Sequence, residues 1–191
     1  PVPKPIFGGT ALTDAITGPT TLGIVKEGLM AGKTVSELLP QLPDYTRELL
    51  GNQGGSLGEI SAIALLIGAC YMFYKKIITW HIPVSYILSV VIFSGIFWLI
   101  NPERYLDPVF HLLTGGMMLG IFYMATDMVT SPINPRGMLI FGAGCGILTM
   151  LIRLWGGYPE GVSFAILIMN AFTPLINRGI KPRRFGVVKA K

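Results

Sequence analysis

The chain has 191 residues, of which 51% are hydrophobic and only 13% charged, with a mean hydropathy of +0.60. Soluble domains carry about 25% charged residues, so this balance excludes an ordinary soluble protein, and the long apolar runs exclude disorder. The net charge of +5 is modest and scattered through an apolar chain, which favours membrane topology signals over nucleic-acid binding. Cys70 and Cys145 both lie in apolar runs and offer neither a disulfide framework nor zinc-ligand spacing.

In chain order, residues 1–55 form a mixed polar segment rich in Gly, Pro and Thr, with no run able to cross a bilayer and no signal-peptide core after Lys4. Leu22, Val25 and Leu29 recur at helical spacing before Gly32, which predicts a helix over Thr21 to Ala31. Short helices are expected at Ser36 to Leu39 and Tyr45 to Leu50, on either side of a Pro40 to Pro43 turn. The membrane domain, 56–178, holds five apolar stretches: Gly58 to Tyr74, Ile82 to Ile100, Pro108 to Ala125, Met138 to Leu154 and Val162 to Ile176. Each approaches the ~17 to 25 residues of a spanning helix. Breaker clusters at Asn101-Pro102, Ser131 to Pro135 and Gly156 to Pro159 separate them. A basic tail, 179–191, closes the chain.

Charge orients these spans. With the first segment outside, Lys75, Lys76, Arg136, Arg178, Lys181, Arg183, Arg184, Lys189 and Lys191 gather inside, leaving Arg104 and Arg153 at the outer ends. The expectation is an all-α polytopic membrane protein with five transmembrane helices, an extracytoplasmic segment 1–55 and a cytoplasmic tail. The tail's Arg183 and Arg184 are suited to lipid headgroups. The start at Pro1, with no initiator methionine, fits the C-terminal half of a larger inverted-repeat bundle.

The most specific local feature is Asp14-Ala15-Ile16-Thr17-Gly18-Pro19-Thr20-Thr21-Leu22, a turn that presents a threonine hydroxyl just before a helix. Amides of a first helical turn and the helix dipole favour a phosphate there. The same residues also read as a plain turn with Thr20 as helix N-cap. Elsewhere, Glu59 and Asp127 lie at opposite ends of their spans, where they either cap helices or meet interfacial water, or else serve function, Asp127 by helping to hold an inner loop or an ion path. His111 reads as a packing histidine or a proton relay, and Arg153 as a snorkelling side chain or a phosphate ligand. The glycines Gly115, Gly116, Gly120, Gly142, Gly144 and Gly146 suit close helix packing.

The Asp14 to Thr20 string resembles the Asp-x-x-Ser/Thr-Gly-Ala-Thr flavinylation motif of the NqrB/RnfD family, with Pro19 in place of alanine. Gly54-Gly55-Ser56-Leu57-Gly58-Glu59-Ile60-Ser61 resembles that family's Gly-Ser-x-Gly-Glu-x-Ser segment. Ala125-Thr126-Asp127-Met128-Val129-Thr130-Ser131-Pro132 resembles its Ala-Thr-Asp-Pro-Val-Thr-Ser-Pro region, and Tyr158-Pro159-Glu160-Gly161 with Asn170 its last span. The short tail and compact loops are closer to the RnfD branch.

The resemblance implies an electron-transfer subunit of an ion-translocating ferredoxin:NAD oxidoreductase (Rnf) complex in a prokaryotic inner membrane. FMN would be joined by a phosphoester to Thr20, with Thr21 the fallback acceptor. Asp14, Thr17 and Gly18 complete the motif, and Glu59 belongs to the flavin neighbourhood. The implied partners are RnfA, RnfB, RnfC, RnfE and RnfG, a flavin transferase during maturation, and membrane lipids. Some family members also bind riboflavin, for which no motif marks a site in this chain. No catalytic side chain or metal ligand is implied, since the redox chemistry is the flavin's. Two other readings stand beside this one: an NqrB subunit of Na+-translocating NADH:quinone oxidoreductase, and a cofactor-free transporter half.

Overall fold

The computed structural model describes residues 20–43, 45–50 and 61–180, and all regular structure among them is helical. Four motif positions, Asp14, Thr17, Gly18 and Glu59, lie outside the described residues, as does the basic tail from Lys181. In chain order the helices are α1 (Thr21–Met30), α2 (Val35–Leu38), α3 (Tyr45–Leu50), α4 (Ala62–Tyr74), α5 (His81–Ile100), α6 (Pro108–Leu113), α7 (Met117–Leu119), α8 (Pro135–Trp155) and α9 (Val162–Gly179). A 3-10 turn, Leu39–Gln41, follows α2, and a π-helical turn, Gly120–Met124, follows α7.

The core is the α5–α8 pair. A Cβ on Gly142 would sit 2.0 Å from Ser85 Oγ and 2.7 Å from the Ile82 carbonyl oxygen, and one on Gly146 would sit 1.9 Å from Ser89 Oγ and 2.9 Å from the Tyr86 carbonyl. One helical turn separates the two glycines, so they let the α5 backbone approach along a single stripe of α8. The serine hydroxyls facing them turn back onto their own helix, Ser85 Oγ donating to Ile82 O (3.1 Å) and Ser89 Oγ to Tyr86 O (2.8 Å). Neither of these hydroxyls is therefore left unpaired in an apolar setting. Beyond the glycines, the buried Tyr86 hydroxyl meets Thr149 Oγ1 at 2.6 Å. Gly144 points the other way, toward the Met169 side chain of α9. The close packing expected of Gly120, Gly142, Gly144 and Gly146 is what the structure shows, whereas Gly115 and Gly116 serve a break in the chain instead.

Among the described residues, two helices, α5 and α8, are long and apolar enough to cross a membrane. Their outer faces support that environment: Val84, Leu88, Ile92, Ile96, Leu99 and Ile100 of α5 are all exposed. An aliphatic strip of this length on one helix suits lipid or further helices rather than water. The arrangement is that of an all-helical membrane protein.

The third apolar stretch departs from the continuous helix expected over Pro108 to Ala125. It is broken after Leu113: Thr114 is extended (φ −99, ψ 151), and Gly115 and Gly116 both take positive φ, at +64 and +61. Two successive left-handed residues end an α-helix, and only glycine adopts that conformation at little cost. The chain restarts as α7 and widens into the π turn, where Ala125 N donates to Gly120 O (2.8 Å). The sequence pattern marks apolarity correctly here, but apolarity is silent on backbone continuity. The fifth stretch forms α9, which carries Pro174 inside it.

Candidate functional site

Thr20 is the N-cap of α1. Its backbone is extended (φ −67, ψ 159), its Oγ1 accepts from Gly23 N at 3.2 Å, and its carbonyl accepts from Ile24 N at 3.0 Å. Threonine suits this place because its oxygen reaches back to one of the amides that a helix start leaves without an intrahelical partner. The first turn of α1 itself contains no acidic side chain. Thr20 is partly exposed, whereas Thr21 is only 9% exposed. Of the two adjacent threonines, Thr20 is thus the more exposed.

The rest of α1 explains where that hydroxyl is held. Leu22 and Val25 form its buried stripe and pack with Val35, Leu106 and Phe110. Val35 N donates to Glu103 O (2.9 Å), and Tyr45 Oη donates to Asp107 Oδ1 (2.6 Å), so α2 and α3 are also tied to the loop 101–107. Lys26 Nζ donates to the carbonyls of Gly156 and Tyr158, the latter at 2.6 Å, binding α1 to the loop that joins α8 to α9. Burial lowers the Lys26 pKa from its usual 10.5. Segment 20–50 consequently lies at the end of the bundle formed by loops 101–107 and 156–161. A cavity of about 680 Å³ opens there, lined among others by Leu22, Lys26, Lys33, Arg104, His111 and Trp155.

Arg153 is placed differently from the expected snorkelling side chain. It is 6% exposed, with Nη1 donating to His111 O (2.6 Å) and Nη2 to Thr114 O (2.8 Å) and Gly115 O (3.1 Å). These carbonyls lie at the break between α6 and α7, where they lose their helical donors. The guanidinium fork supplies replacements, for which its planar array of N–H groups is suited. The same node reaches α1, since a Cβ on Gly115 would meet Leu22 Cδ1, Arg153 Nη2 and Glu160 Cγ within 3.4 Å. His111, 5% exposed, packs edge-on to Phe110 and leaves Nδ1 without a hydrogen bond among the described residues.

Asp127 lies at the other end of the bundle, where Oδ2 accepts from Thr130 N (3.3 Å) and Thr130 Oγ1 (3.0 Å). These bonds make Asp127 the organiser of an exposed turn. Cys145 is buried and Cys70 exposed, and no group of three or more His, Cys, Asp or Glu able to hold a metal occurs among the described residues. Two roles escape sequence reasoning. Lys26 carries no signal beyond its place on a helix, and Arg153 points to its role only through the nearby Gly115-Gly116 pair.

The model of the NQR2, RnfD, RnfE family matches residues 2–186. The chain is 48% identical over 180 residues to the D subunit of the Na(+)-translocating ferredoxin:NAD(+) oxidoreductase complex of Acetobacterium woodii, covering 94% of this chain and 52% of that protein. It is 47% identical over 174 residues to the D subunit of the proton-translocating ferredoxin:NAD(+) oxidoreductase complex of Clostridium ljungdahlii, covering 91% and 52%. To the D subunit of the ion-translocating oxidoreductase complex of Halorhodospira halophila it is 41% identical over 180 residues, covering 94% and 50%. The chain thus spans about half the length of these relatives. A family match over nearly the whole chain, with relatives at these identities, places the chain in the NQR2, RnfD, RnfE family.

Proposed function

We propose that this chain carries FMN, esterified through its phosphate to Thr20, within the RnfD-type membrane subunit of an ion-translocating ferredoxin:NAD oxidoreductase. The observation that supports this most is Thr20 itself: a partly exposed hydroxyl at the start of a ten-residue helix, preceded by Asp14, Thr17 and Gly18 in flavinylation order. The residues present fit a phosphoester at that position. The first-turn amides and the dipole of α1 favour an anion there, and no carboxylate in that turn opposes it. When bound, the flavin supplies one- and two-electron transfer.

The chain's own residues attach and position it. Thr20 Oγ provides the ester oxygen, the amide of Gly23 is freed from Oγ1 to meet the phosphate, and the α1 stripe seats the attachment point on the bundle. The charge distribution supports an extracytoplasmic site, with Lys75, Lys76, Arg136 and Arg178 at the opposite ends of the apolar helices. In this reading five spans form half of a larger inverted-repeat bundle in the inner membrane. The remaining Rnf subunits exchange electrons with the flavin, and a flavin transferase installs it.

Expression with a flavin transferase tests the proposal. The full-length chain on a denaturing gel should fluoresce as a flavin and gain the mass of an FMN ester. Thr20→Ala should abolish both signals, while Thr21→Ala should retain them. A wild-type chain of unmodified mass would overturn the reading in favour of a cofactor-free transporter half.

A further inference from the structure

We infer that Lys26 is a positioning residue for the tethered flavin, a clasp that holds the attachment helix α1 against the end of the membrane helix α8. This inference rests on the proposed attachment at Thr20. Lys26 lies less than two turns along α1 from that threonine, and its ammonium bridges two carbonyls far away in sequence, those of Gly156 and Tyr158. Gly156 is the C-cap of α8, a 21-residue helix that ends without an αL glycine turn. A helix end leaves carbonyls exposed and carries partial negative charge, so a cation donating there is favoured on both counts.

Three features separate this contact from an ordinary surface lysine. The ammonium makes two directed bonds to one loop rather than a single ion pair. It reaches them from within the cavity wall, partly removed from water, and burial lowers its pKa. Leu22 and Val25, on the buried side of α1, pack with Leu106 and Phe110 through apolar surface. Apolar packing holds a helix close to a surface but leaves sliding and rotation weakly opposed, because the hydrophobic effect has no direction. Two hydrogen bonds from one ammonium to α8 and its following loop remove that freedom. They fix the distance and orientation of the Thr20 hydroxyl relative to the membrane bundle.

A lysine is suited to the task where arginine is less so. Its single ammonium carries three rotatable donors that can follow two separate carbonyls, while the guanidinium fork is rigid and prefers acceptors in its plane. Lys33, which lines the same cavity from beyond the end of α1, makes no such bridge among the described residues and serves as an internal control.

The test uses the full-length subunit in its assembled complex, produced with the flavin transferase, as wild type, Lys26→Met, Lys26→Gln, Lys26→Arg and Lys33→Gln. Intact mass first establishes FMN stoichiometry. Absence of FMN from the wild type defeats the attachment at Thr20, which is a separate failure from that of the clasp. With FMN present, time-resolved anisotropy of the native flavin reports its freedom, and single-turnover reduction reports its placement. Lys26→Met should keep full stoichiometry, depolarise faster and slow flavin reduction severalfold, because electron transfer weakens as the flavin leaves its fixed distance from its donor. Lys26→Arg should recover part of both, and Lys33→Gln should match wild type. Lys26→Gln carries the same two readings if Lys26→Met does not assemble. Wild-type anisotropy and reduction rate in a fully flavinylated Lys26→Met or Lys26→Gln chain, or an equal loss in Lys33→Gln, overturns the inference.

Discussion

A guanidinium taken out of water within an apolar bundle is costly, and it persists only where its donors are used. Arg153 uses them on the carbonyls of His111, Thr114 and Gly115, so its removal leaves several acceptors without a donor at once. Each unsatisfied buried group costs about 1–3 kcal/mol. Arg153→Ala should therefore lower the stability of the subunit by about 3 kcal/mol or more, read as a fall in the unfolding midpoint in detergent. Arg153→Lys should recover only part of this, because a single ammonium cannot span the same set of carbonyls. At Thr20 the proposed role is one of chemistry rather than stability. Loss of an N-cap costs only about 1 kcal/mol, so Thr20→Ala should remain folded while losing its flavin.

At the scale of elements, the α5–α8 contact depends on the absence of side chains at Gly142 and Gly146. A Cβ on Gly142 would stand 2.7 Å from the Ile82 carbonyl, a backbone atom that no rotamer change can move. Gly142→Val should separate the helices and destabilise the pair by about 1–3 kcal/mol, the usual cost of overpacking. Thermal unfolding checks this beside Gly157→Val, where nothing lies within 4 Å and the change should be close to neutral. The Tyr86–Thr149 hydrogen bond at 2.6 Å crosses the same interface. A double-mutant cycle with Tyr86→Phe and Thr149→Val should return a coupling near ~0.6 kcal/mol, the average for such bonds in membranes. The break between α6 and α7 joins this element scale to the site. A methyl group on Gly115 would collide with Leu22 Cδ1 and require a strained φ of +64, so Gly115→Ala should disturb α1 as well as the third apolar stretch.

Across the whole molecule, the loops 101–107 and 156–161 with segment 20–50 form one end, and residues 75–80 and 126–134 the other. In the proposed orientation, charge puts the first end outside. In intact cells, a cysteine at Glu103 should then react with a membrane-impermeant maleimide, while one at the exposed Val129 should react only after permeabilisation, both measured in a Cys70→Ser background. The reverse pattern would overturn the sidedness, and with it the outer location of the flavin. Relatives with 48% and 47% identity carry names with different coupling ions.

The elements themselves are largely legible in the sequence. Leu22, Val25 and Leu29 announce α1, the apolar runs announce α5 and α8, and Gly142 and Gly146 announce close packing, because each signal is local and follows the helical period. The helix start at Thr20 is legible for the same reason, since a cap is written in a few adjacent residues. What the sequence by itself determined was therefore the helical class, the family and the position of the candidate acceptor at a helix start. The tertiary structure alone decided that the third apolar stretch is broken, that Arg153 is buried at the break, and that Lys26 reaches across to α8. The last two facts depend on which carbonyls lack a donor after the chain has packed, and the donors come from positions 38 to 132 residues away in sequence. A sequence lists donors and acceptors, but only the packed fold pairs them.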